Sequence, residues 1–457
     1  MIVSNRGPVG FRFDNSGRAV AGRPAGGLAT GLRPLLRDGT TWIASAVSDA
    51  DRAAAEAGHG QVDVDGLTVR LLTPDPARYR MAYDTIANAT LWFLHHGLWD
   101  LPRRPVFDRR WRDAWAAYVA WNEEVAGAVT GEVERLGPDT VVLVQDYHLG
   151  LAGAALRRAG VEAPCVHFSH TPFAGAESIG VLPADVASTL LDGMASFTAC
   201  GFHTERWAAR FLAACQEIGV DAPPTFAQPL APDLGHLREV AASDECAAAA
   251  AAMDAEIGDR RAIVRVDRLE LSKNLLRGFL AFESLLERRS DLHDGVVFAS
   301  LAYRSREGVL DYVAYEQEVS AVVERINARF GRPGWTPIQL FIGDDHPRSV
   351  AALRRYDVLL VNPVRDGLNL VAFEGPAVNE RDGVVCLSTE AGAHTMLGDV
   401  VESIHPFDID STAGALERAI ALGGAERASR AARLKAAIET VTPSAWLDAQ
   451  LAAAGVA

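Results

Sequence analysis

The chain has 457 residues, 49% hydrophobic and 23% charged, enough to build more than one packed core and unlike a disordered or fibrous composition. Its formal charge of −15 at pH 7 argues against nucleic acid or an anionic membrane surface as partner, so an anionic ligand must be held by a local basic cluster. The five cysteines (Cys165, Cys200, Cys215, Cys246 and Cys386) form no CxxC pair and fit thiols packed in a reducing cytoplasm. The opening MIVSNRGP lacks the basic head and apolar stretch of a signal peptide, and no apolar run approaches the ~20 residues that span a bilayer. A soluble cytoplasmic protein is expected.

In chain order, short β-branched runs alternate with alanine- and leucine-rich helical stretches, the pattern of a parallel α/β sheet covered on both faces. Strands are expected at residues 1–4, 41–44, 67–72, 140–145 and 164–168. A second set is expected at residues 262–266, 295–300, 338–342, 357–362, 383–388 and 401–405. Between the sets, residues 229–259 carry prolines and then an alanine helix without a strand, which places a domain junction near Asp233. Residues 416–454 read as helices, the last able to fold back onto the first half. The expected fold is α/β, with two facing doubly wound domains, and ligands in such sheets sit at the carboxyl ends of strands.

The turns after these strands carry the polar chemistry. "DRLELSKN" sets Arg268 and Lys273 in a non-helical turn after one strand, where both cations can converge on a diphosphate leaving group. The chain has only two lysines against 42 arginines, so Lys273 stands out, whereas Lys435 suits a solvated helix face. In "NPVRDGLNLVAFEG", Asp366 and Gly367 leave a buried run, residues 368–373 begin a short helix that Gly375-Pro376 ends, and Glu374 follows on that helix. Free N–H groups at such a helix start suit a phosphate, Asp366 suits sugar hydroxyls, and Glu374 suits a ribose diol. Gly26-Gly27 in "PAGGLATGL" precede an apolar helix, and Asp146, His148 and His170 each follow a strand. Each of these, taken singly, is also what a cap, a turn former or a core residue looks like.

Three acidic pairs suggest a metal or phosphatase centre and are set aside. Asp63 and Asp65 lie in a hairpin-like stretch, and Asp344-Asp345 has only His346 beside it. "DIDST" is followed by too few residues for a phosphatase domain, so Asp410-Ser411-Thr412 is read as capping a helix that starts near Ala413.

"VSNRGP", "GGLATGL", "DTIANATLW", "DYHL", "SHTPF", "GFHTER", "VDRLELSK", "RRYDVLLVNPVRDGLNLVAFE" and "LSTEAGA" together resemble the trehalose-6-phosphate synthase family, over residues 2 to about 407. The resemblance implies the GT-B arrangement of two Rossmann-like domains: residues 1–232 binding acceptor, 233–437 binding nucleotide sugar, and 438–457 returning to the first domain. It implies retaining transfer of glucose from a nucleotide-glucose to glucose 6-phosphate, with no metal or other cofactor, by small-molecule substrates alone. Arg268, Lys273, His170 and Asp366 match the catalytic positions. Gly26, Gly27, Gly367, Leu368, Asn369, Leu370 and Glu374 join them on the donor side. Arg6, Trp42, Tyr83, Trp92, Asp146 and Arg306 match the acceptor side, where guanidinium forks and a phenol suit a phosphate and an aromatic face suits a sugar.

Departures from the commonest pattern are Leu271 for tyrosine, Asn274 for glycine, Phe373 for lysine and Ala174 for proline. Asn274, Phe373 and "VNERDG" resemble actinobacterial relatives and favour GDP-glucose over UDP-glucose. The same features resemble validamycin-type pseudo-glycosyltransferases that join cyclitols, the alternative enzyme. A catalytically silent sugar-nucleotide sensor is the alternative of another class, and the presence of Arg268, Lys273 and Asp366 argues against it. A homo-oligomer is left open.

Overall fold

The computed structural model describes residues 1–22, 32, 35–36 and 39–456. It divides into two compact units, Met1–Leu230 with Thr442–Ala457, and Ala231–Val441. The junction falls two residues before the expected one. The return to the first unit begins at Thr442 rather than residue 438, because Leu434 and Ile438 of the helix Gly424–Ile438 belong to the second unit's core.

Sixteen strands are found among the described residues. In the first unit they are β1 (Ile2–Val3), β2 (Phe11–Phe13), β3 (Ala19–Ala21), β4 (Thr41–Ser45), β5 (Gln61–Val64), β6 (Leu67–Leu72), β7 (Val142–Gln145), β8 (Cys165–Ser169), β9 (Ala199–Phe202) and β10 (Thr225–Ala227). In the second they are β11 (Arg261–Arg268), β12 (Val296–Tyr303), β13 (Ile338–Ile342), β14 (Val358–Val361), β15 (Val384–Ser388) and β16 (Glu402–Ile404). Each of the eleven expected runs overlaps one of these strands.

The first unit's sheet has the order β10-β9-β8-β7-β1-β4-β6-β5 and is parallel except for β5, which pairs antiparallel with β6 as the glycine-bounded hairpin. Strand order reverses between β1 and β7. The second unit's sheet, β13-β12-β11-β14-β15-β16, is parallel throughout and reverses between β11 and β14. Loops that leave the two strands of a reversal diverge to opposite faces, so a crevice opens at their carboxyl ends. Those crevices lie after Val3 and Gln145 in one unit and after Arg268 and Val361 in the other.

Two boundaries differ from expectation. The helix after Asp366 begins at Val371, with residues 368–370 in the loop, and it runs through Gly375 and Pro376 to Val378. Gly375 serves packing and not termination: a Cβ there would stand 2.4 Å from the Leu359 side chain of β14. The helix after "PFD" starts at Ile409 and is capped by Asp408, whose carboxylate accepts from the Ser411 amide at 2.8 Å, so Asp410 lies inside the helix. All five cysteines are buried and unpaired as disulfides. No helix of the described residues is long and apolar enough to cross a membrane.

Candidate active site

In the second unit, β11 ends at Arg268 and its chain turns through Leu271–Lys273, while β14 feeds the loop that carries Asp366. The two loops meet: Lys273 Nζ lies 2.6 Å from Asp366 Oδ2, and both side chains are mostly buried. Asp366 Oδ2 also accepts from the Asn369 side-chain Nδ2 at 3.1 Å. Burial works against a charged Lys273, but Asp366 and then Asp267 outweigh it and hold the ammonium above its ordinary range.

The Asp366 loop is braced by the segment "LSTEAGA". The Asp366 amide donates to Glu390 O at 3.1 Å, the Gly392 amide to Asp366 O at 3.1 Å, and the Ala393 amide to Leu368 O at 2.8 Å. A Cβ at Gly392 would stand 1.9 Å from the Gly367 carbonyl oxygen, so only glycine fits there. Asn369 has φ of 79°, a left-handed turn that asparagine tolerates and that lets the helix Val371–Val378 start just beyond.

Glu374 sits on the first turn of that helix. Burial pushes its carboxyl up to about 7 against the pull of Lys273, with Asp267 adding to the rise. Arg268 Nη1 lies 2.8 Å from Glu270 Oε1, and Arg306 binds the same oxygen. Arg306, matched to the acceptor side by resemblance, therefore lies in the second unit beside Arg268. Burial opposes ionisation of Glu270, yet the Arg268 and Arg306 guanidinium groups bring its carboxyl down to about 2.

Beneath this surface lies a group the motif reading did not single out. Arg265 of β11 is fully buried and donates from Nη2 to Asp267 Oδ2 at 2.8 Å and to the Lys273 carbonyl at 2.7 Å. The acid-base alternation in "RVDRLELSK" was the available signal for Arg265, Asp267 and Glu270. Strand propensity alone reads such charges as solvated.

In the first unit, Arg6 and Asp146 follow β1 and β7, the two neighbouring strands at which the order reverses. Asp146 has φ 73° and ψ 168°, a backbone region that is nearly glycine-only and costs of the order of 1–3 kcal/mol. Surrounding bonds impose it: its amide donates to Phe168 O at 2.7 Å, its carbonyl contacts His167 Nε2 at 3.1 Å, and its carboxylate accepts from the His170 amide at 3.2 Å. His170 follows β8 with Nε2 3.0 Å from Gln145 Oε1, and burial, with His203 and His167 near, pushes its pKa well below the ordinary value, so it is neutral at pH 7.

Residues Met81–Leu91 form a π-helical stretch, a rare geometry that concentrates at functional sites. It carries Tyr83, stacked between Tyr79 and His148 at centroid distances of 5.6 and 5.7 Å. Nothing in the sequence pattern distinguishes this winding from an ordinary helix.

One acceptor-side candidate, Trp42, is corrected. Trp42 is fully buried, and its indole N–H donates to Ser4 Oγ at 2.8 Å while Ser4 in turn donates to the Arg6 carbonyl at 2.6 Å. It braces Arg6 and has no surface to offer a sugar. Trp92 is 7% exposed, with its ring stacked 3.8 Å from that of His96, so packing accounts for most of it. Arg6 itself is exposed. Gly26 and Gly27 lie outside the described residues. Among the described residues, no group of three or more His, Cys, Asp or Glu side chains is placed to hold a metal ion.

Known proteins share this pattern across the chain. A validamine 7-phosphate valienyltransferase from Streptomyces hygroscopicus is 30% identical over 439 residues, covering 90% of this chain and 84% of that protein. A trehalose-6-phosphate synthase from Klebsiella pneumoniae is 30% identical over 440 residues, covering 89% and 86%. Among solved structures, one described as trehalose-6-phosphate from E. coli bound with UDP-2-fluoro glucose superposes with TM-score 0.86 at 28% identity, covering 99% of this chain and 98% of that one. An α,α-trehalose-phosphate synthase (UDP-forming) from Burkholderia xenovorans in complex with glucose-6-phosphate gives 0.84 at 29% identity, covering 99% of each. The model of glycosyltransferase family 20 matches residues 1–454. With two Rossmann-like units of the GT-B type and cations gathered at a strand-order reversal, the chain belongs to glycosyltransferase family 20 and is a hexosyltransferase.

Proposed function

We propose that the chain transfers glucose from a nucleoside-diphosphate glucose to glucose 6-phosphate with retention, giving α,α-trehalose 6-phosphate and the nucleoside diphosphate. The observation that carries this reading is the meeting of Arg268, Lys273 and Asp366 at the β11–β14 reversal. Two cations there can stabilise the negative charge that grows on a departing diphosphate, and a carboxylate is placed to orient sugar hydroxyls. The similar proteins described as binding UDP-2-fluoro glucose and glucose-6-phosphate support both substrate classes.

In the proposed step, the bond from the anomeric carbon to the diphosphate oxygen breaks while the acceptor's anomeric hydroxyl oxygen bonds to that carbon on the same face. The leaving phosphate oxygen takes the hydroxyl proton. Arg268 and Lys273 hold the leaving group, Asp366 with the amides of the following loop holds the glucose, and Glu374 accepts from the ribose diol. Neutral His170 offers a ring or backbone hydrogen bond to the sugar without adding positive charge. No carboxylate is assigned as nucleophile, and turnover is expected to survive EDTA.

Two departures tied to the donor base in the sequence have structural explanations of their own. Asn274 has φ of 62°, so the glycine usual there and this asparagine both answer a left-handed backbone. Phe373 is fully buried in the core. Neither bears on guanine against uracil, and the similar synthases of known structure are described as UDP-forming.

A donor panel of ADP-, GDP- and UDP-glucose with glucose 6-phosphate, scored by nucleotide release, tests the reading. Release from one or more donors supports it. A blank across all three, with turnover of a nucleotide-activated cyclitol, would instead establish the valienyltransferase-like reading that the Streptomyces relative favours.

A further inference from the structure

Arg268 and Arg306 do not stand alone. Glu270 is fully buried, and its Oε1 takes Arg268 Nη1 at 2.8 Å, Arg306 Nη1 in a close contact, and Ser305 Oγ at 2.6 Å. Its other oxygen, Oε2, is buried and has no hydrogen-bond partner. An ion pair built for stability alone would use both oxygens of the carboxylate in parallel bonds, and a buried oxygen left bare costs free energy. Here one oxygen gathers two guanidinium groups from two different loops.

The backbone supports that gathering. The Glu270 amide donates to Arg268 O at 2.8 Å, the Lys273 amide donates to Glu270 O at 3.0 Å, and Arg306 adopts a left-handed φ of 50°. The neighbouring Arg304 is engaged instead by Glu316 on the exposed surface, at 2.5 Å. Each guanidinium has five N–H donors, and Glu270 occupies one Nη of each. The carboxylate thus fixes where the two forks point.

We propose that Glu270 is a positioning residue that binds Arg268 and Arg306 into one cluster, so that the donor diphosphate and the acceptor phosphate meet two guanidinium groups held in register. The inference rests on the donor and acceptor roles proposed above for those two arginines. Two guanidinium groups and one carboxylate carry a net charge of about +1, and replacing the carboxylate by an amide raises it to about +2. Binding of a phosphate anion should then tighten even as turnover falls, a split that simple loss of structure does not give.

The test uses Glu270→Gln and Glu270→Asp in the full chain. Calorimetric titrations with UDP, GDP and glucose 6-phosphate, each alone, accompany kcat and the melting temperature. For Glu270→Gln the expected result is dissociation constants lowered about threefold or more for glucose 6-phosphate and for the better-bound nucleotide, with kcat reduced about tenfold or more. Glu270→Asp keeps the charge but is one methylene too short to hold both arginines, so kcat should fall with nucleotide affinity unchanged within about twofold. The second variant decides the case if the first does not fold. Wild-type kcat in either variant, or weaker binding of every ligand in step with a lower melting temperature, overturns the proposal. Arg268→Ala and Arg306→Ala test the underlying roles separately: if the first leaves nucleotide affinity unchanged, or the second leaves glucose 6-phosphate affinity unchanged, those assignments fail irrespective of Glu270.

Discussion

Lys273 and Asp366 come from loops 93 residues apart and close to 2.6 Å across the β11–β14 reversal. A cation that must meet a leaving diphosphate is thus held by the carboxylate assigned to the sugar. The pair satisfies two buried charges that would each be costly alone, and it fixes the separation of the leaving group's partner from the sugar's.

Lys273→Ala should lower kcat about a hundredfold, since its ammonium acts where charge develops in the transition state. Steady-state kinetics with the preferred donor checks this. Near wild-type turnover would remove Lys273 from the leaving-group role. Lys273→Arg should recover little, because a planar fork cannot replace a compact ammonium in a close, mostly buried pair.

Glu374 gives a pH dependence with a defined sign. Its carboxyl sits near 7 in the folded chain, against about 4.3 for an unperturbed glutamate. As a ribose acceptor it must be ionised, so donor affinity should rise as pH increases through about 7. Stability runs the other way: the raised pKa contributes stability below about 4.3, lost as pH rises to about 7. Glu374→Gln should flatten both profiles between pH 5 and 8, as read by nucleotide titration and thermal melts. A nucleotide affinity still rising through neutral pH in that variant would assign the dependence to another group.

Gly392→Ala should damage the site without touching a ligand. The added methyl would press on the Gly367 carbonyl at 1.9 Å, and overpacking of this kind costs about 1–3 kcal/mol. The Asp366 loop should shift, raising KM for the donor more than for glucose 6-phosphate. Equal effects on both KM values would show that the brace is not local to the donor loop.

The parallel sheets and their reversals were legible because buried β-branched runs such as Val384–Ser388 are continuous and bounded by turn residues. Strand β9, Ala199–Phe202, was missed since ACGF has little β propensity and is held by its neighbours on both sides. Arg268, Lys273 and Asp366 could be named because Arg268 ends a strand and the other two lie in the turns that follow strands. Glu270 and Arg265 could not, because charges that bind one another look like solvated ones until the loops are closed. Trp42 went the other way. Aromatic residues near a site motif suit both a sugar face and a core, and burial decides between them.

Trp446 links the returning helix Pro443–Ala453 to His170. Its ring is fully buried and packs edge-on against Phe168 at 5.1 Å and tilted against His170 at 5.8 Å. From the same helix, Gln450 Oε1 accepts from Gln145 Nε2 at 3.3 Å, and Gln145 Oε1 in turn meets His170 Nε2. Truncating a buried tryptophan of this kind costs about 3–5 kcal/mol. Trp446→Ala should therefore lower the melting temperature sharply and leave a pocket into which the His170 ring can turn. Gln450→Leu keeps the volume and removes only the acceptor for Gln145, so it should spare most of the stability while lowering kcat. The contrast between the two separates packing from orientation: if Gln450→Leu matches wild type in kcat, the returning helix supports His170 by packing alone.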